Sequence, residues 1–423
     1  MLSTMRNAWK IPDLKRRILF TLLMLMIYRG GAYIPVPFIN SEVVAQFVSQ
    51  GALFGFFDLL SGGAFKNFTI FAMGIVPYIN SSIIFSLLQI AIPQLEQMAK
   101  EGEEGRKKIA QFTRYGTVIL GSIQAIGITL LLKNQGAIIK YSTFHLFIIV
   151  LTLAAGTSFL MWLGEQITDK GIGNGISMLI FISIVSRYPS MGFQIGGLVS
   201  AGTANMLEVI IFLIALVAVV AAVVTMDLGE RRIPVQYAKK MVGRKMYGGQ
   251  STHIPINVNS ASVIAIIFAM SFMQIPLTIA GFFPNIPWVS VFNRGGIFAT
   301  DSYLYWLVYF LLVIFFTWFY TGITFNTKEM AENMKKYGGF IPGIRPGKPT
   351  MDYVQTILNR ITIVGGSFAG FIALTPYILD KFTGLKNLYF GGTSILIVIG
   401  VALETIKQIE AQMTMRHYQG FLR

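Results

Sequence analysis

Apolar residues occur along this chain in ten long runs, which short polar segments separate. Each run is close to the roughly 20 residues that an α-helix needs to cross the hydrocarbon core of a bilayer. With their loops, these runs fill the length and leave no room for a large soluble domain. The pattern predicts an all-α integral membrane protein with ten spanning helices, at about residues 18–34, 71–93, 112–132, 144–165, 172–191, 206–227, 257–282, 303–325, 356–379 and 391–411.

Two of the runs begin with glycine-rich segments. The fifth opens with DKGIGNGIS at 169–177, and the tenth opens with FGGTSILIV at 390–398. Two sets of five helices, in each of which the last helix begins with a glycine-rich segment, are typical of an internal repeat with inverted topology. We therefore expect two pseudo-symmetric five-helix halves, an N-terminal half at 1–200 and a C-terminal half at 201–423.

The segment GALFGFFDLLSGGAFKNF at 51–68 is apolar, but glycines interrupt it and it is too short to cross a bilayer. Irregular backbone at membrane depth is tolerated where protein or a water-filled cavity surrounds it. One interpretation is a re-entrant segment that caps a cavity on the outer side. The other is a surface loop that lies on the lipid headgroups, and the pattern leaves both open.

Two loops, at 228–256 and 326–355, are longer than a connection between spans requires. In the first, apolar residues alternate at Ile233, Val235 and Tyr237 before a glycine-containing turn, which predicts an extended hairpin. In the second, two prolines and two glycines of PGIRPG at 342–347 form a stiff tip around Arg345. The alternative is that the basic residues of these loops only fix the topology.

Basic residues near helix ends resist translocation and mark the cytoplasmic side. Most of the 34 lysines and arginines fall in segments that would share one side with the N-terminus, so both termini are predicted to be cytoplasmic. The basic start and first apolar run also fit a signal peptide. The run ends in GGAYIPVP at 30–37 without an Ala-x-Ala-like cleavage pattern, and we interpret it as an anchor.

The composition agrees with a chain that lies mostly in lipid, since 54% of the residues are hydrophobic and 13% are charged. The absence of cysteine excludes disulfides, thiol catalysis and thiolate metal sites. His145, His253 and His417 lack ligand spacing, so no metal site is expected. Residues 343–350 approach a phosphate-binding loop, but Pro349 stands where that motif requires Ser or Thr.

Ion-coupled transporters and membrane-embedded hydrolases need ionisable groups at depth, where such groups are costly enough to be functional by default. The predicted spans have almost none, and paired carboxylates, a Ser-His-Asp set and an HExxH motif are missing. Ion-coupled transporters and membrane-embedded hydrolases are therefore the disfavoured alternatives. We expect the energy for any process that this chain performs to come from a partner or a gradient. The few carboxylates near span ends are Glu165, Asp169, Glu208, Asp227 and Glu404.

Four side-chain amides remain inside the predicted spans: Asn80, Gln89, Gln124 and Gln274. Such amides usually hydrogen-bond between helices, each contributing about 0.5–2 kcal/mol. The same groups could instead line a wet lateral seam between helices, and the composition leaves this alternative open.

Five motifs, taken together and in this order, resemble the SecY family, the channel-forming subunits of the bacterial Sec protein translocase. They lie on the second, fifth and tenth predicted helices and in the two long loops. The motifs are MGIVPYINSSII (73–84), ITDKGIGNGIS (167–177), RRIPVQYAKK with QSTHIPINVN (231–259), PGIRPG (342–347) and GGTSILIV (391–398).

The resemblance implies two five-helix halves around a central hourglass pore that a short plug fills. The pore would open sideways to lipid between the second and third helices and the seventh and eighth. The plug is apolar enough to fill a dry neck, and glycines break it so that it can leave as a unit. In this sequence the plug would consist of Phe56, Phe57, Asp58, Leu59, Leu60, Ser61, Gly62, Gly63, Ala64 and Phe65.

The family's pore constriction is a ring of branched apolar side chains from the second, fifth, seventh and tenth helices. Each isoleucine alone is more often a core or lipid-facing residue; the joint placement by motif carries the assignment. The family often has glycine and proline early in the seventh helix, where this chain has Ser262 and Ala265. The expected ring is Ile79, Ile83, Ile180, Ile184, Ile267 and Ile397.

The resemblance implies a passive protein-conducting channel of the bacterial cytoplasmic membrane, without a cofactor, that exports unfolded preproteins and inserts membrane proteins sideways. The expected partners are SecE, SecG, the SecA ATPase, the ribosome and signal-bearing preproteins. The basic loops would dock SecA or the ribosome, where ribosomal RNA suits a cationic tip. The docking residues would be Arg231, Arg232, Lys239, Lys240, Arg345 and Lys348.

Overall fold

The computed structural model describes residues 9–50, 58, 60–139, 142–202, 205–237, 240–242, 245–247, 251–259, 262–282, 291, 296, 298–299, 302–383 and 392–420. Most of these residues are helical. The helices are α1 (Pro12–Gly31), α2 (Ser41–Gln50), α3 (Val76–Ala91), α4 (Pro93–Lys100), α5 (Glu103–Asn134), α6 (Thr143–Lys170), α7 (Gly175–Val185), α8 (Tyr188–Ser200), α9 (Met206–Leu228), α10 (Ser262–Phe282), α11 (Tyr303–Thr324), α12 (Thr327–Lys336), α13 (Lys348–Thr383) and α14 (Gly392–Gly420). The strands are β1 (Glu230–Tyr237), β2 (Lys240–Val242), β3 (Lys245–Tyr247), β4 (Ser251–Asn257) and β5 (Gly339–Phe340).

Each of the ten apolar runs falls on a helix, so the all-α membrane fold is confirmed. By length and composition, six described helices could cross a membrane, or seven if the bent pair α3 and α4 is one span. The predicted runs on α1, α10 and α14 are outside this set, and the count of ten stays a prediction. The outer surface of α9 is apolar, with Leu207, Ile214 and Val217 exposed, as a lipid-facing helix requires.

The predicted second span differs from the observed helix at both ends. Residues 70–75 form turns, and α3 begins only at Val76. After Ala91 the chain turns by 101° into α4, because Ile92 is extended and Pro93 starts a new helix.

The fifth run lies on α7 and α8, which a turn at 186–187 separates and which together are long and apolar enough to form one span. Its glycine-rich start explains where α7 begins, since the Asn174 side chain accepts hydrogen bonds from the backbone N–H groups of Ile176 and Ser177. A Cβ at Gly175 would collide with the backbone oxygen of Gly164, so this glycine permits close contact between α7 and α6.

The described part of segment 51–68 lies inside the bundle. Leu60, Ala64, Phe65 and Phe68 are all buried, and the chain forms successive turns between 61 and 68. The alternative of a loop spread over lipid headgroups is therefore wrong for these residues. Residues 51–57 and 59 lie outside the described part of the chain.

The two long loops form one structure, which the sequence analysis did not foresee. The predicted hairpin is present, with β1 antiparallel to β4 and Ile233 opposite Ile254. On its other edge β1 pairs with β5 of the second loop, where Gln236 lies opposite Phe340, so the strand order is β4-β1-β5. Buried residues from both loops and from α12 and α13 share one apolar core under this sheet: Ile233, Val235, Ile256, Met334, Ile341, Val354 and Leu358.

The helices pack mainly within two groups. In the first, α3 packs on α5, α5 on α6, and α6 on α1 and α7; in the second, α11 packs on α10 and α13, and α14 on α9 and α13. Contacts between the groups run from α10 to α3 and α5, and from α14 to α7. These two zones of contact bring residues from distant parts of the sequence to the centre of the bundle.

Candidate functional site

The six isoleucines chosen from the sequence lie in one apolar cluster at the centre of the bundle. Four of them, Ile79, Ile180, Ile184 and Ile397, are buried members of this cluster. Ile83 and Ile267 are partly buried and pack against it. The structure therefore brings together side chains of α3, α7, α10 and α14, two helices from each half of the sequence.

The pairs on α3 and α7 share a face because residues four apart are neighbours on a helix surface. Ile83 has a second role, since it also packs against the apolar cluster of α10 and α11. It thus lies where α3 meets the second group of helices. A site lined by branched apolar chains can exclude water without binding a passing polypeptide.

Two apolar side chains of the plug, Leu60 and Ala64, belong to the same central cluster as the isoleucines. Phe65 lies instead in a neighbouring cluster, with Val36, Phe68 and Ile149. The remaining apolar plug residues, Phe56, Phe57 and Leu59, lie outside the described residues. Leu60 and Ala64 of the predicted plug therefore pack in the same apolar cluster as the isoleucines.

Polar groups hold the plug in this position, and sequence reasoning missed the residues that supply them. The Asp58 carboxylate lies 2.8 Å from Arg187 Nη1, an ion-pair distance without good hydrogen-bond alignment. Tyr28 Oη lies 3.1 Å from the carbonyl oxygen of Ser61 and 2.6 Å from Ser183 Oγ. The available signal was an arginine within each of two predicted apolar runs, Arg29 in 18–34 and Arg187 in 172–191.

The backbone of the plug also fits its surroundings closely at one glycine. Gly62 adopts φ +65°, and its carbonyl oxygen accepts a hydrogen bond of 3.0 Å from Arg29 Nη1. A Cβ at Gly62 would lie 2.9 Å from the Ser183 Cα. Gly63, at φ +90°, has no described atom within 4 Å of such a Cβ.

The contact of α10 with α3 and α5, here called the seam, differs from the contact between α3 and α5. The latter is fixed by a 2.8 Å hydrogen bond from Ser81 Oγ to the Thr113 carbonyl oxygen. Within the described part, no hydrogen bond crosses the seam. Asn80 and Gln89 on α3 and Gln124 on α5 have half-buried side chains and no hydrogen bond in the described part of the chain, while the Gln274 side chain is outside it.

The proposed docking residues lie on the surface of the two loops. Arg232 pairs with Glu230 at 2.5 Å, whereas Arg231, Arg345 and Lys348 are exposed and have no described partner. Lys239 lies outside the described residues; Lys240 starts β2, but its side chain is not described. Arg345 and Lys348, three residues apart in the second loop, are therefore two exposed basic side chains without a described partner.

The tip around Arg345 has a defined backbone. Gly343 at φ +82° and Gly347 at φ +103° flank it in the left-handed region that favours glycine. Thr350 Oγ1 donates a 2.9 Å hydrogen bond to the Arg345 carbonyl oxygen. The side chain thus projects from a fixed turn rather than from a loose loop.

The known proteins to which this chain is similar in sequence belong to one family. The SecY family model matches residues 69–406. A protein translocase subunit SecY of Halalkalibacterium halodurans is 47% identical, and the match covers 100% of both chains. One of Thermotoga maritima is 43% identical and covers 100% of this chain and 98% of the relative.

Solved channel structures have the same fold. A protein conducting channel superposes with a TM-score of 0.70 at 20% identity, covering 94% of this chain and 92% of the other. A SecY structure whose plug domain is described as stabilising the closed state gives 0.68 at 19% identity, with the same coverage. Sec61 of the canine ribosome-channel complex gives 0.66 at 17% identity, again covering 94% and 92%.

Proposed function

The chain belongs to the SecY family, and from this membership we propose that it encloses an apolar, plugged pore through which unfolded chains cross or enter the membrane. It is a multi-pass membrane protein and the subunit of a protein-conducting translocation channel, not an enzyme. The proposal concerns how this chain gates the path and which partners drive it.

One observation carries the gating proposal: six isoleucines from four helices meet the plug in one central cluster. An unfolded chain in lipid would leave unpaired peptide groups, each costing several kcal/mol, so it needs a water-filled path. An open water path would leak ions. Branched apolar side chains around a narrow neck resist wetting at rest and yield to a passing strand, which charged linings would retain.

Sideways release of a membrane-protein segment needs a boundary that can part. We propose an N-terminal half at 1–200 and a C-terminal half at 201–423, with the seam as the lateral gate. Helices pack mainly within each half, and no described hydrogen bond crosses the seam. Asn80, Gln89 and Gln124 lie on α3 and α5, two of the helices that form the seam, and their amides have no described hydrogen-bond partner, which favours the wet-seam interpretation over hydrogen bonds between helices.

The joined cytoplasmic loops are the proposed docking surface. Related channels in solved structures are bound to ribosomes, namely canine Sec61 and the yeast Ssh1 complex. For this chain we propose docking of the ribosome, with contacts to ribosomal RNA, and of the SecA ATPase. The free cations Arg345 and Lys348 would supply contacts that weaken with salt. SecE and SecG are the proposed companion subunits.

We further propose that the chain lies in the cytoplasmic membrane of a bacterium with both termini in the cytoplasm. The basic loop residues support this orientation, since they resist translocation. Its curated relatives come from bacteria.

Reconstitution tests the function directly. The purified chain with SecE and SecG in liposomes, supplied with SecA and ATP, should carry a signal-bearing polypeptide into the lumen, where it resists added protease. The same polypeptide without its signal is the control and should stay outside. Uptake of a small solute without polypeptide transport would contradict the proposal and favour a secondary transporter.

Replacing Gly62 with alanine should unseat the plug and raise the resting ion conductance of the reconstituted channel. The new Cβ would press on the Ser183 Cα at 2.9 Å and on Arg29 Nη1 at 3.0 Å. Gly63→Ala is the matched control, because it carries the same positive-φ strain, about 1 kcal/mol, without a described neighbour. Equal conductance of the two variants in a planar bilayer would contradict this account of the plug.

A further inference from the structure

The buried carboxylate of Asp58 has several partners. Its side chain is 2% exposed, and its Oδ2 lies 2.8 Å from Arg187 Nη1. Its Oδ1 accepts a 2.7 Å hydrogen bond from the backbone N–H of Lys66, and its carbonyl oxygen accepts one from Gly63. Removing one member of a buried ion pair leaves an uncompensated charge, which is strongly unfavourable. Arg187 therefore acts as a positioning residue for the plug.

A second anchor is a chain of hydroxyl groups. Tyr28 Oη lies within hydrogen-bond distance of the Ser61 carbonyl oxygen and of Ser183 Oγ. Ser183 Oγ in turn lies 2.7 Å from the Leu179 carbonyl oxygen. Each hydroxyl has only one hydrogen to donate, so these three contacts cannot all be hydrogen bonds at once.

The count of hydrogens leaves three arrangements. With the plug seated, Tyr28 donates to the Ser61 carbonyl oxygen and Ser183 donates either to Tyr28 or to the Leu179 carbonyl oxygen. Without the plug, Tyr28 can donate to Ser183, and Ser183 to the Leu179 carbonyl oxygen. Both hydroxyls then stay hydrogen-bonded, so plug departure leaves no unsatisfied hydroxyl donor in this chain.

The third anchor is the hydrogen bond of 3.0 Å from Arg29 to the Gly62 carbonyl oxygen. Tyr28 and Arg29 belong to α1, Ser183 belongs to α7, and Arg187 follows α7 directly. All the anchoring side chains therefore come from residues 1–200. The seam lies elsewhere, at α3, α5 and α10.

We propose that these polar contacts form a latch, which fixes the plug to the N-terminal half and opens separately from the seam. This inference rests on the proposed function and adds a regulatory step to it. Parting the seam does not itself break the latch, so a segment can enter the seam while the plug still seals the pore. The latch consists of Tyr28, Arg29, Asp58, Ser61, Ser183 and Arg187.

Neutral variants of the ion pair test the latch in planar bilayers. Arg187→Gln and Asp58→Asn should each raise resting ion conductance, on the order of tenfold, because each leaves one unpaired buried charge. The double variant should conduct less than either single variant, since two amides can hydrogen-bond to each other. Tyr28→Phe should have a smaller effect than Arg187→Gln.

Two controls make the result specific. Arg114→Gln breaks a more exposed ion pair of 2.7 Å to Glu165, between α5 and α6, and should leave conductance unchanged. Asn80→Cys places a thiol on α3, one of the helices that form the seam, and the chain has no native cysteine that would also react. Its labelling rate with a water-soluble thiol reagent should be the same with and without Arg187→Gln.

The latch is overturned if both single variants conduct like the unmodified channel. It is also overturned if the double variant leaks more than either single variant, or if Asn80→Cys labelling rises together with conductance. Polypeptide transport by the unmodified channel, measured on vesicles of the same preparation, tests the proposed function separately. Its absence would count against that function and not against the latch.

Discussion

Replacing Arg345 with glutamate is expected to abolish motor-driven transport of a signal-bearing polypeptide while the channel stays folded. The Arg345 side chain is exposed and has no described partner, so the structure itself does not depend on its charge. Gly343, Gly347 and the Thr350 hydrogen bond fix the backbone around it. A partner that docks on this tip would meet a repulsive charge in place of an attractive one.

The measurement is ATP-driven transport into proteoliposomes, which should fall below about a tenth of the unmodified rate, given the cost of disrupting a charge pair at an interface. Lys348→Glu is the matched control, since it makes the same charge change three residues away, and it should reduce transport less. Arg345→Lys should retain part of the activity at low salt. Unaltered transport by Arg345→Glu would remove this residue from the docking surface.

Replacing Ile83 with asparagine is expected to wet the pore and relax the selection for signal sequences. Ile83 packs against the central cluster and against the cluster of α10 and α11. Placing an amide in apolar surroundings without a partner costs about 2–7 kcal/mol, which water entering the neck would offset. The resting conductance should rise by at least about tenfold, the effect of roughly 1.4 kcal/mol on the closed state.

Ile84→Asn is the control for this change. Ile84 is the next residue after Ile83 on α3, but its side chain is 42% exposed and is not a member of the central cluster. It should leave conductance and signal selection near their unmodified values. The ring assignment of Ile83 is contradicted if the two variants conduct alike, or if Ile83→Asn transports only signal-bearing chains.

Periodicity and motif order predicted much of the molecule because these features are local. A run of about 20 apolar residues must form a helix in lipid, since only internal hydrogen bonds can satisfy its backbone. Asn174 in the GNGIS motif similarly predicts where α7 starts. The bend after Ala91 was missed, because a bend changes hydropathy little.

In the candidate site, too, the residues marked by local motifs could be predicted, whereas contacts between remote segments could not. The isoleucines could be chosen because family motifs mark their positions, and the structure brings all six into one cluster. The latch could not be found this way, because Tyr28 and Ser183 are 155 residues apart and no local pattern connects them. The sheet that joins the two loops could not be predicted from a local pattern either, because β5 contributes only two residues.

Composition and spacing along the chain are sufficient to predict the helical membrane fold, the basic loops and the lack of catalytic motifs. The packing of remote segments was needed to show which side chains touch the plug, how the two loops share one sheet and that no hydrogen bond between described residues crosses the seam. The physical reason is that ion pairs and hydrogen bonds depend on distances of about 3 Å, which arise only when segments remote in sequence pack together.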